Sequence, residues 1–151
     1  MPHIIRVSLL LLGLMGYPVW VSAACHVATT GLNFGAYDVF DATDVRSTAR
    51  LTVMCDLALP TPVTLALGPS THTGLALPRG MTLGASVLYY NVYIDPALTQ
   101  VWGDGAGGGR AMTNSVTRNT PWAITVYGSI PAQQSVRAGV YSDRVIVTIT
   151  W

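Results

Sequence analysis

Seven aspartates, three histidines and two cysteines are the side chains from which this chain could build a metal site or an acid–base pair, because it contains no glutamate. Their spacing does not favour either. Asp38, Asp41 and Asp44 lie three residues apart but lack the glycine and the distal glutamate of a calcium loop, so they read as a solvated turn. His72 stands alone in the turn-rich stretch Gly68-Pro-Ser-Thr-His-Thr-Gly74, and His26 adjoins a cysteine. Ser86 in Gly84-Ala-Ser-Val-Leu88 lacks the second glycine of a nucleophile elbow. The glycine-rich stretch Gly103–Gly109 is not followed by the Lys-Ser/Thr of a phosphate loop. No catalytic residue, no metal site and no cofactor is expected, and the chain does not read as an enzyme.

That leaves the cysteines. Residues 1–23 carry a short polar start with His3 and Arg6, an apolar run from Val7 to Tyr17, a helix-breaking Pro18, and the small residues Ser22 and Ala23. This is the layout of a secretory signal peptide, and the run is too short for a good membrane anchor. Cleavage before Ala24 fits best, and cleavage directly before Cys25 fits nearly as well. The second site raises a lipidated Cys25, although Ser22 stands where a lipobox usually has an aliphatic residue. In an exported chain Cys25 and Cys55 are expected to form one disulfide.

The elements that would position these residues read as strands. All eight basic residues are arginine and all seven acids aspartate, so the lysine and glutamate on which long helices draw are missing. Without Arg6 the arginines and aspartates balance at seven each, which gives no basic excess for nucleic acid. Period-two alternation marks residues 48–56, 63–67, 87–94, 123–127 and 143–151, separated by Gly, Pro and Asp-Pro signals. In the last of these Val145, Val147, Ile149 and Trp151 share one face. Residues 24–151 are therefore expected to form one all-β domain, an antiparallel sandwich with no membrane span. If it is immunoglobulin-like, a strand that runs to the final residue leaves it short of its last strand, with an open apolar groove.

Several segments, taken in order, resemble a known family. They are Cys25, Gly31-Leu-Asn-Phe-Gly-Ala-Tyr-Asp38, Cys55-Asp56, Tyr90-Asn-Val-Tyr-Ile-Asp95, Trp102-Gly-Asp-Gly105, Tyr127-Gly-Ser-Ile-Pro131 and Gly139–Trp151. Together they are similar to the spore coat protein U domain across the mature chain. The resemblance implies a secreted bacterial sandwich related to pilin subunits of archaic chaperone–usher systems. Its expected partners are a periplasmic chaperone that lends a strand, an outer-membrane usher, and neighbouring subunits of the same family. It implies a pilus or coat at the cell surface, or an extracellular location. It also implies that Val145, Val147, Ile149 and Trp151 meet the chaperone or donor strand, and that Cys25 and Cys55 form the family disulfide. Polymerising subunits carry a donor segment ahead of the first cysteine, whereas here only Ala24 would remain, which points to a terminal or self-sufficient subunit. A second reading is a freestanding adhesin or binding module, with Trp102 and Trp122 as candidate surface-binding residues.

Overall fold

A computed structural model describes residues 24–107 and 109–151. The expected signal segment, 1–23, lies outside the described residues. Among the described residues there are eight strands and no helix: β1 (Cys25–Thr29), β2 (Val45–Cys55), β3 (Thr61–Ser70), β4 (Arg79–Leu83), β5 (Ser86–Tyr93), β6 (Met112–Val116), β7 (Trp122–Ile130) and β8 (Val145–Thr150). All paired strands run antiparallel, in a five-stranded sheet ordered β1-β2-β7-β5-β4 and a three-stranded sheet ordered β6-β3-β8.

The alternation in the sequence explains the two layers. On β2, Ala49, Leu51, Val53 and Cys55 are buried while Arg46, Thr48, Arg50 and Met54 face out. On β3, Val63, Leu65 and Leu67 point inward. Leu88, Tyr90 and Val92 of β5 and Val126 and Ile130 of β7 complete the core between the sheets. The longest ladder joins β2 to β7, from Val45↔Ile130 to Val53↔Trp122. Cys25 and Cys55 are opposite one another in the β1–β2 register and are disulfide-bonded.

One irregularity draws a charge into the core. The β3–β8 register shifts between Leu67 and Ser70, where Gly68-Pro69 interrupts the strand. Proline cannot donate to a ladder, so such a pair inside a strand marks a bulge and frees carbonyls that need another donor. Arg79, fully buried at the start of β4, supplies it. Its guanidinium donates to the carbonyls of Gly68, Leu67 (3.3 Å) and Trp102 (3.1 Å). Burial lowers its pKa, against the opposing influence of Tyr90, Asp143 and Asp104.

Candidate functional site

Two edges of the sandwich face each other without pairing. On one side β1 continues into residues 30–44, which form no strand; on the other, residues 136–144 lead into β8, whose outer edge pairs with no described strand. Between these lips runs a groove made of two contiguous depressions of about 500 and 690 Å3. Leu32, Phe34, Met81 and Tyr141 belong to both. The floor of the first is core: Leu51, Leu67, Tyr90, Val92, Trp102 and Val126. β1 comes close to β8 and narrows the far end.

The N-terminal lip is the Gly31–Asp38 stretch. Thr30 N–H donates to the Arg50 carbonyl at 3.1 Å, and Ser47 Oγ to the Asn33 carbonyl at 2.6 Å. Tyr37 Oη donates to the Pro131 carbonyl at 3.0 Å and accepts from Gln134 N–H at 2.7 Å. Phe34 turns inward and meets Tyr90 edge-on, with ring centroids 5.8 Å apart. Its ring lies where a side chain on β7 would otherwise stand, since a Cβ on Gly128 would come within 2.6 Å of it. Gly128 is thus required for the space it leaves.

The C-terminal lip crosses from one sheet to the other. Ser142 exchanges hydrogen bonds with Thr82 of β4, at 2.9 and 3.3 Å, and three residues later the chain joins β3 as β8. Asp143 fixes the crossing. Its side chain is only 3% exposed, and its carboxylate accepts from Tyr90 Oη, Ser70 Oγ and Arg144 N–H, each at 2.8 Å. His72 Nδ1 stands 3.4 Å from the same carboxylate. Burial first, and then the Asp143 hydrogen bond and charge, raise the Tyr90 pKa above the ordinary phenol value. Tyr141 Oη donates to the Arg137 carbonyl at 3.0 Å and lies 2.5 Å from Ser86 Oγ.

Val145, Val147 and Ile149 line the inner side of β8 and are half-buried against the core, with Val145 and Val147 in the groove wall. Ile146 faces out, and Trp151 lies just beyond the strand, half-exposed. Of the two tryptophans expected at the surface, Trp102 requires correction. Trp102 is only 2% exposed, and its indole N–H donates to the Leu65 carbonyl at 3.3 Å. It sits between the sheets because its own N–H is held by the Val92 carbonyl while Leu67 N–H reaches the Gly103 carbonyl. Neighbouring glycines made Trp102 look loop-borne, but Gly103 and Gly109 cross so closely that a Cβ on either would be 2.7 Å from the other's Cα. The Trp102 ring is therefore closed to a ligand. Trp122 starts β7 and packs, half-buried, against the core.

Phe34 and Asp143 fall in the family-like segments 31–38 and 139–151, whereas no local pattern in the sequence singles out Arg79, which holds the wall from behind. The Gly68-Pro69 break is the available hint of a buried donor. The groove offers a strand edge unpaired among the described residues, beside half-buried Leu32, Phe34, Met81, Val145 and Val147, which is the chemistry for receiving an extended backbone with alternating apolar side chains.

Comparison with known proteins agrees with this architecture. The family model of the Spore Coat Protein U domain matches residues 13–148. The chain is 33% identical to Protein U of Myxococcus xanthus, over 87% of this chain and 79% of that protein. Its fold is similar to a chain in the CsuC-CsuE chaperone-tip adhesion subunit pre-assembly complex from archaic chaperone-usher Csu pili of Acinetobacter baumannii. There the TM-score is 0.62 at 19% identity over 87% of this chain, which spans 40% of the length of that solved chain.

Proposed function

The chain belongs to the Spore Coat Protein U domain family, and from that premise we propose that it is a secreted structural subunit of a bacterial surface assembly whose groove accepts a strand from another protein. A periplasmic chaperone fills the groove during export, and a neighbouring subunit replaces it at an outer-membrane usher. Residues 1–23 direct export, and residues 24–151 are the assembling domain. The role is structural, not catalytic. The observation that carries the reading is the outer edge of β8, unpaired among the described residues, beside an apolar groove between Tyr141–Val147 and Thr29–Phe34. An added strand would pair with β8 and place alternate side chains on Leu51, Val92 and Trp102, covering an edge that otherwise invites aggregation. The solved relative in fold comes from a chaperone–subunit complex, which supports a chaperone as partner.

Co-expression of the full chain with and without a chaperone of an archaic chaperone–usher system tests this. The expected result is a soluble one-to-one complex with the chaperone and aggregated or degraded chain without it. Val147→Asp together with Ile149→Asp should abolish the complex. A stable monomer that forms without chaperone and protects the β8 amides from hydrogen exchange would overturn the proposal.

A further inference from the structure

The outer face of the five-stranded sheet has a different chemistry from the groove. None of its five strands contains an aspartate. Its outward positions include Arg46 and Arg50 on β2, Tyr127 on β7, and Tyr89 and Tyr93 on β5. Register sets them in rows: Arg46 opposite Ser129, which is opposite Asn91; and Thr48 opposite Tyr127, which is opposite Tyr93. Two residues further along β2 from Thr48, Arg50 faces Thr125. Arg46 and Arg50 therefore stand about 13 Å apart along one strand, with tyrosines beside them. Neither guanidinium has a side-chain hydrogen bond or ion pair among the described residues, where the only ion pair is His72–Asp143. Asp44 and Asp56 flank β2 and Asp95 follows β5, all in loops. Asp44 accepts from Ala132 N–H, and Asp95 from Thr99 and Gln100.

A depression of about 320 Å3 opens on this face, lined by Arg46, Thr48, Tyr127, Pro96 and Leu98. That is near the lower end of small-ligand sites, which run from roughly 300 to 1,000 Å3. We propose that this face binds an acidic polysaccharide. Arginine presents a planar fork that matches a carboxylate, and tyrosine offers an apolar ring face with a hydroxyl at its rim, suited to the C–H and O–H faces of a sugar. Two unpaired cations far apart on a flat sheet fit a repeating anion better than a single small one, and the depression seats one sugar of the polymer. This site is remote from the groove chemistry and does not depend on strand complementation.

Affinity electrophoresis of the full chain through gels containing polygalacturonate, neutral dextran or no polymer is the test. Polygalacturonate should retard the protein, and salt should relieve the retardation. Arg46→Ala with Arg50→Ala should weaken binding about tenfold or more, the loss expected from one or two charge-assisted contacts. Tyr127→Ala should weaken it less, and thermal melting should change little because both arginines are exposed. Should the double variant fail to fold, Arg50→Gln alone makes the same comparison. Equal retardation of the arginine variants, equal retardation by dextran, or binding confined to anionic phospholipid vesicles would overturn the proposal.

Discussion

The two lips of the groove are held by different physics. The C-terminal lip is anchored in a buried polar network: Asp143 bonded to Tyr90 and Ser70, with buried Arg79 tying the β3 bulge and Trp102 beside it. The N-terminal lip has no buried charge. It rests on the Phe34 ring over Gly128 and on main-chain and hydroxyl bonds from Thr30, Ser47 and Tyr37, with the disulfide at the far end of β1. A buried polar network has few alternative geometries, because a shifted member leaves unpaired groups at a cost of several kcal/mol. A strap held by a ring and exposed hydrogen bonds can shift at far lower cost. The difference assigns one lip as a fixed wall that sets register and the other as the side able to accommodate what enters.

The sharpest way to break that contrast is Arg79→Ala. It would orphan carbonyls of Leu67 and Trp102 and open a void, and should lower stability by about 3–5 kcal/mol in denaturant titration. An effect below about 1 kcal/mol, the size of one ordinary hydrogen bond, would mean the wall is not held by its buried network. Next comes the disulfide. Cys25→Ala with Cys55→Ala releases a loop spanning a sequence separation of 30 residues and should cost about 3–4 kcal/mol, with loss of protection starting in β1. Gly128→Val should displace Phe34 and cost about 1–3 kcal/mol, with amide shifts in residues 31–37 that exceed those in 141–147. Equal shifts on both sides would show the lips to be one unit. Ser47→Ala should cost about 1 kcal/mol and change exchange only near Asn33.

Alkaline titration sharpens the same comparison. The Tyr90 pKa is raised in the folded state, so unfolded chains lose that proton first. The associated stability is present below the ordinary phenol pKa of about 10 and is lost as pH rises toward the folded value. Tyr90→Phe should flatten this alkaline decline in the denaturation midpoint. An unchanged slope would place the titrating tyrosine elsewhere.

Much of the fold was legible because alternation is a local signal. β2, β3, β5, β7 and β8 each bury every second residue along much of their length, and each was readable to within a few residues. β1, β4 and β6 were not, for a common reason. Each is five residues long, and sequences such as Met112-Thr-Asn-Ser-Val116 and Arg79-Gly-Met-Thr-Leu83 are made strands by their neighbours and not by their own pattern. Nothing local marks Arg79 for burial, because its partners are carbonyls freed by a bulge eleven residues away. Trp102 looked exposed because the glycines after it signal a loop, while the contacts that bury it come from β3 and β5. The alternating terminal strand points to an open groove, but its two lips are about a hundred residues apart in sequence, and no local pattern shows which residues line it.

The disulfide has a further consequence when the molecule is pulled. Tension entering near Cys25 passes through the sulfur bridge to Cys55 and onward to β3, bypassing β2, which lies between the two cysteines. β1 is shunted out of the load path and cannot peel away. The segment between the two cysteines stays a closed loop, so a stretched oxidised molecule should be shorter than a reduced one by about 100 Å, at roughly 3.4 Å for each withheld residue.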